Sequence, residues 1–208
     1  KSGNVGVPSR GLTLKLVPNS GKMELRLKGP SITPGYYKNP EKTAEAFDED
    51  GYYCMGDALR PADPDDLTKG FFFDGRIAEN FKLNSGTWVV VGTLRTQLVD
   101  AMHGVIRDAV IVGENRAELG ALLLVSQAGQ AMNPSELEHL VQQHLAAAAQ
   151  QATGSASRVK RAVILHEDPS FDRGEVTEKG SLNQRAMRAH HESLIEDLYE
   201  GRGRTIAV

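Results

Sequence analysis

The stretch from Phe73 to Val89 divides the chain into two textures. Upstream of it, short alternating runs are separated by Gly and Pro, as in strands and turns. Downstream, apolar runs of strand length alternate with helix-period segments, as in a compact α+β domain. The stretch therefore reads as a hinge between two domains, near residues 74–79. Asp74-Gly75 beside Arg76 reads as a turn with a cation at its edge. Lys82 adds a second cation six residues on, and Gly86 a position of close backbone approach.

Composition narrows the function classes. A hydrophobic fraction of 40% in 208 residues supports a packed core. A formal net charge of -3 argues against a dedicated nucleic-acid binder. The one cysteine, Cys54, excludes an intrachain disulfide and a Cys-rich zinc site, which fits a reducing cytoplasm. No apolar run reaches the roughly 18–20 residues that span a bilayer. The chain opens on Lys1-Ser2-Gly3-Asn4 without Met, so a fragment or a processed chain is expected.

Leu12–Val17 and Met23–Lys28 alternate around Pro18-Asn19-Ser20-Gly21 and predict a β-hairpin. Asn39-Pro40 starts a short helix to Phe47. Short strands are predicted at Tyr52–Asp57 and Gly70–Phe73. Thr93–Met102 reads as a helix, and Ile106–Val112 with Leu119–Val125 as an antiparallel pair. Asn133-Pro134-Ser135-Glu136 opens a helix whose face carries Leu137, Leu140, Val141, His144 and Leu145. Val159–Leu165 is a third strand, Leu182–Tyr199 a last helix, and the tail from Gly201 a loose end.

The chemistry-bearing positions each admit two readings. Asp57, after Gly56 at a strand end, could accept two hydroxyls of a ribose diol or simply shape a turn. Arg76 and Lys82 could meet a sugar hydroxyl or phosphate, or form surface ion pairs. Gly86 could line a narrow channel or sit in a plain turn. Lys179, in a Gly-flanked loop, could bring a positive charge to an anionic transition state or remain an exposed lysine. His190 and His191 are adjacent on the predicted helix and diverge by about 100°. No metal-ligand spacing is present, so no protein-built metal site is expected.

The order of the motifs carries more than any one of them. Met23-Glu24-Leu25, Gly35-Tyr36, Thr43 with Phe47, Tyr53-Cys54-Met55-Gly56-Asp57, and Gly75-Arg76 with Lys82 resemble, in that order, the C-terminal third of the adenylate-forming acyl-CoA synthetases. The run Phe73–Lys82 with Thr87-Trp88-Val89, and the run Glu175–Arg185, look like the feruloyl-CoA synthetase branch. Met55 stands where the family has Thr. The usual hinge Asp or Lys is Ala78, with Glu79 next. The last motif reads Lys179-Gly180 in place of Gly-Lys.

The resemblance implies an α+β fold in two pieces. Residues 1–76 would be the β-rich end of a large N-terminal domain. Residues 77–208 would be a mobile small domain with a central sheet flanked by helices. It implies a ligase of a carboxylic acid, such as ferulate or a related hydroxycinnamate, with ATP, magnesium and coenzyme A. Asp57 would hold the ribose hydroxyls with help from Arg76, and Lys82 would lie on the nucleotide side. Ala78 or Glu79 would be the pivot. Gly86 would lie near the pantetheine path, and Lys179 would stabilise charge in adenylation. The family's phosphate loop lies upstream, so the chain alone is expected to be inactive. Apolar faces meant for the missing N-terminal part would favour a homodimer. The alternatives are a non-catalytic binding or regulatory module that kept the fold, or another adenylate-former: fatty-acid, luciferase-like or carrier-protein loading.

Overall fold

The structure, a computed structural model, describes residues 4–208. Two compact units divide the chain between Asn80 and Phe81. The first is a five-stranded antiparallel sheet in the order β1-β5-β4-β3-β2. Its strands are β1 (Asn4–Gly6), β2 (Thr13–Asn19), β3 (Lys22–Lys28), β4 (Tyr53–Pro61) and β5 (Phe71–Arg76), with helix α1 (Pro40–Glu45) between β3 and β4.

The predicted hairpin is β2–β3. Its alternation sets Leu14 opposite Leu27 and Leu16 opposite Leu25. The two-residue turn, Ser20-Gly21, has positive φ at both positions (51° and 78°), the conformation whose twist matches the flanking strands. Leu25, Leu59 and Phe71 form the core of this sheet, with Leu14, Leu16 and Leu27 packed on it. Asn39 caps α1 by accepting from the Lys42 N–H at 3.0 Å.

Asp74-Gly75 is not a turn. It is a bulge within β5: Asp57 pairs with Arg76 and Leu59 with Phe73, so Asp74 and Gly75 together oppose Ala58. Gly75, at φ 90°, supplies the bend. The short turn Ile77–Glu79 packs against β4, and the Asn80 N–H donates to Ile77 O at 3.2 Å. The first unit therefore runs to Asn80, past the boundary expected at 76.

The second unit starts with a hairpin of β6 (Phe81–Lys82) and β7 (Trp88–Val89), both inside the stretch expected to be a hinge. Then come α2 (Val91–Ala101), β8 (Ile106–Val112), β9 (Leu119–Val125), α3 (Gln127–Gln130), α4 (Pro134–Gln151), β10 (Val159–Leu165), α5 (Gln184–His190), α6 (Glu192–Glu200) and β11 (Ile206–Ala207). The sheet order is β11-β10-β9-β8; β9 and β10 run parallel and the other pairs antiparallel. The β8–β9 pair matches the sequence expectation at both ends.

All seven residues of β9 are buried. Leu119, Ala121, Leu123 and Val125 face one core, with Leu94 and Leu98 of α2 and Leu137, Val141 and Leu145 of α4. Leu122 and Leu124 face a second core, with Met187 of α5 and Leu198 of α6. This is the central sheet flanked by helices, and no helix among the described residues is long and apolar enough to cross a membrane.

Two expectations need correction. The last helix is two helices, broken at His191 (φ -106°, ψ 24°). Its start is also later than Leu182: that residue bridges Val176, and Asn183 caps α5 from outside. The tail is not loose. Gly201 ends α6 in a left-handed conformation, and β11 then pairs with β10, Ala162 opposite Ile206.

Gly129 of α3 marks a close approach. A Cβ there would sit 2.4 Å from Val105 O and 2.7 Å from Val125 Cγ1, while one on Gly154 would meet nothing within 4 Å. Gly129→Ala is expected to destabilise the second unit by about 1–3 kcal/mol in urea unfolding. Gly154→Ala should shift it by less than about 0.5 kcal/mol.

Candidate functional site

In the first unit the bulge in β5 brings two of the expected site residues together. Arg76 Nη1 donates to Asp57 Oδ1 at 2.9 Å, across the strand pair that puts their backbones in register. Arg76 is exposed and Asp57 is mostly covered, with its side chain 21% accessible. Burial pushes the Asp57 carboxyl up, and the Arg76 charge and hydrogen bond oppose that rise. Among the described residues only Arg76 donates to this carboxylate, so Oδ2 remains an open acceptor for a ligand hydroxyl.

The same bulge carries a contact that the sequence did not suggest. The Lys22 side chain, 3% exposed, sets its ammonium 3.0 Å from Asp74. This ion pair, buried on its lysine side, ties the first residue of β3 to the bulge that precedes Arg76. Ala78 is exposed and Glu79 half-buried on the turn that ends the unit.

In the second unit, Lys82 and Gly86 share the β6–β7 hairpin. Lys82 lies directly across from Trp88, its ammonium 4.8 Å from the ring centroid. Gly86 closes the connecting turn: its N–H donates to Leu83 O at 2.9 Å, at φ 80°. A Cβ there would meet nothing within 4 Å, so the turn conformation, not crowding, calls for glycine. The hairpin is tied down by Asn115 N to Lys82 O (2.8 Å) and Asn84 N to Arg116 O (3.0 Å). Beside it opens a groove of about 480 Å³, lined by Thr87, Trp88, Thr93, Gln97, Ser155 and Ser157 among others.

Lys179 lies in the same unit on the loop between β10 and α5. It occupies the tip of a tight turn, in which Gly180 N donates to Thr177 O (2.8 Å) and Thr177 N to Ser181 O (2.9 Å). The side chain is exposed, and among the described residues nothing pairs with its ammonium.

At the foot of this turn is Glu175, whose side chain is fully buried. Its Oε2 accepts from Ser170 N–H at 2.6 Å and from Arg173 Nη2 at 3.0 Å. Its Oε1 lies 3.2 Å from His190 Nδ1 and 3.7 Å from His191 Nε2. Burial pushes this carboxyl up, but the Ser170 N–H, Arg173 and His190 outweigh it and hold the carboxyl below its usual range. The two histidines therefore converge. The expected divergence assumed one continuous helix, and the break at His191 turns both rings toward the same oxygen. Sequence reasoning missed Glu175 because nothing local distinguishes it from an exposed loop glutamate. Among the described residues no three His, Cys, Asp or Glu side chains gather as metal ligands.

Comparison with known proteins adds context. A family model described as the AMP-binding enzyme C-terminal domain matches residues 83–203. The chain is 30% identical over 198 residues to a carboxylic acid reductase of Mycobacterium marinum, covering 94% of this chain and 16% of that protein. It is 28% identical over 216 residues to a long-chain-fatty-acid–CoA ligase of Mycobacterium tuberculosis, covering 96% and 34%. Among solved structures, the adenylation domain of a carboxylate reductase from Mycobacterium chelonae superposes with a TM-score of 0.78 at 27% identity, over 94% of this chain and 32% of that one. The chain thus spans about a sixth to a third of the length of these relatives.

The Asp57–Arg76 pair makes a prediction with a definite sign. Because burial raises the folded-state pKa, ionised Asp57 costs no stability below its unfolded pKa. The cost grows as pH rises between the unfolded and folded values and is complete above the folded one. Arg76→Ala removes the opposing charge, so the Asp57 pKa should rise further and the window should extend upward. Carboxyl-carbon NMR titration measures this; an unchanged pKa would show that Arg76 does not hold the group down.

Proposed function

The chain belongs to the adenylate-forming AMP-binding enzymes, with residues 83–203 as their C-terminal domain, and from that membership we propose that it works within a longer enzyme that activates a carboxylic acid with ATP. In the first step a carboxylate oxygen attacks the α-phosphorus of ATP, the bond to the β-phosphate oxygen breaks, and pyrophosphate leaves. In the second a thiolate attacks the acyl carbon, the bond to the AMP oxygen breaks, and a thioester and AMP result. The observation that supports this most directly is Asp57: a covered carboxylate with one oxygen held by Arg76 and the other open to accept from a ribose hydroxyl.

In this reading Arg76 assists Asp57 at the sugar, and Lys82 adds positive charge on the nucleotide side. The exposed, unpaired ammonium of Lys179 meets the negative charge that develops during adenylation. Ala78 and Glu79, on the short turn before Asn80, form the pivot by which one site could run two chemistries in turn. Gly86 lies beside the path of the thiol arm. Magnesium would arrive with the ATP phosphates.

The acid and the thiol are the finer part of the proposal. Coenzyme A as acceptor is supported by the likeness to a CoA ligase. Ferulate or a related hydroxycinnamate is supported by the runs Phe73–Lys82 with Thr87-Trp88-Val89 and Glu175–Arg185, which resemble the feruloyl-CoA synthetase branch. A second reading, in which the acyl group is destined for reduction, is favoured by the likeness to two carboxylate reductases over 94% of the chain.

The test is ATP–pyrophosphate exchange by the enzyme that carries this chain, with ferulate, 4-coumarate, benzoate and a fatty acid, followed by product analysis with coenzyme A. Exchange and thioester with the hydroxycinnamates are expected. Exchange with the fatty acid alone would overturn the choice of acid, and exchange without any CoA thioester would favour the reductase reading. Lys179→Ala should lower exchange by about a hundredfold or more, since a charge contact made in the transition state is lost. An undiminished rate would remove Lys179 from the mechanism.

A further inference from the structure

The loop from residue 166 to residue 183 joins β10 to α5 with no regular element inside it. Yet its tip, the Lys179 turn, is well defined by backbone hydrogen bonds, and the residues of the turn itself are exposed. The order has to come from the base of the loop, and the base contains one buried charge. A buried carboxylate is costly unless its lone pairs are occupied. Glu175 meets that requirement from three directions at once. Ser170 N–H reaches it from the start of the loop, Arg173 from its middle, and His190 and His191 from the helices that follow.

The backbone of the same residue continues the fastening. Glu175 N donates to Ser170 O at 3.0 Å, and Glu175 O accepts from Asn183 N at 2.8 Å. The next residue, Val176, bridges Leu182, so the two strands of the turn leave the clasp already paired. Asn183 closes the loop a second time by donating from Nδ2 to Gly174 O at 3.0 Å while its Oδ1 caps α5.

We propose that Glu175 is a positioning residue: its buried carboxylate ties the first part of the 166–183 loop to the helices that follow it, and so holds the Lys179 turn in the conformation used for adenylation. This rests on the reading of Lys179 given above. The clasp acts through order rather than contact, since Glu175 lies four residues from Lys179 on the far side of a bridged pair.

The test uses Glu175→Gln, which keeps the shape and removes the charge. On the 208-residue chain, amide hydrogen exchange at Thr177, Gly180, Ser181 and Asn183 should speed up by about tenfold or more, while β8 and β9 stay protected. In the enzyme that carries the chain, the kcat for ATP–pyrophosphate exchange should fall about tenfold with the KM for ATP kept, because misplacing a group that acts only in the transition state spares ground-state binding. In the Lys179→Ala background, Glu175→Gln should cost nothing further. If β8 and β9 also loosened, Arg173→Gln removes a half-exposed donor to the same carboxylate and carries the same expectations. Unchanged exchange at the four amides would overturn the clasp, as would independent, multiplying losses in the double variant. If Lys179→Ala alone left the rate untouched, the role of the lysine would fall while the exchange result still reported on the clasp.

Discussion

The second unit depends on one strand that cannot face water on either side. β9 buries all seven of its residues, and its alternation deals them in turn to two separate cores. A strand of this kind needs a helical layer on each face. That requirement accounts for α2 and α4 on one side and for α5 and α6 on the other. It also accounts for the parallel β9–β10 pair, since α4 lies between them in the chain and a crossover of that length is what a parallel connection needs. The first unit has no such strand. Its sheet has a small core of Leu25, Leu59 and Phe71.

Charge is placed where this packing leaves the chain irregular. Lys22 and Asp74 meet at a bulge, Asp57 and Arg76 beside it, and Glu175 at the foot of a long loop. Breaking one partner of a buried pair typically costs about 3–5 kcal/mol, far more than an exposed pair is worth. Such contacts discriminate sharply between one loop conformation and its neighbours. Apolar packing holds the sheets, and two buried charges, the Lys22 ammonium and the Glu175 carboxylate, fasten the bulge and the long loop.

The amphipathic and apolar patterns were readable because they are local. The β2–β3 hairpin, β8, β9, β10, the Asn39 and Asn133 caps and the apolar face of α4 all appear where the sequence puts them. The order of short motifs pointed to the adenylate-forming family, which the match over residues 83–203 supports at that level. Elements of two residues carried no readable period, so β6, β7 and β11 were invisible. The Asp74-Gly75 pair misled because the same residue types serve a turn and a bulge, and only the strand opposite decides which.

By itself, then, the sequence determined the longer strand segments and the α4 helix, the change of texture across residues 73–89 and the identities of the candidate polar groups. Those properties follow from side-chain period and backbone preference over a few neighbours. Tertiary structure alone decided that Arg76 lies on Asp57, that Lys22 is buried on Asp74, and that two adjacent histidines turn toward a single carboxylate. Each of these joins residues whose meeting depends on strand register, a bulge or a helix break. None of the three leaves a mark in the local pattern.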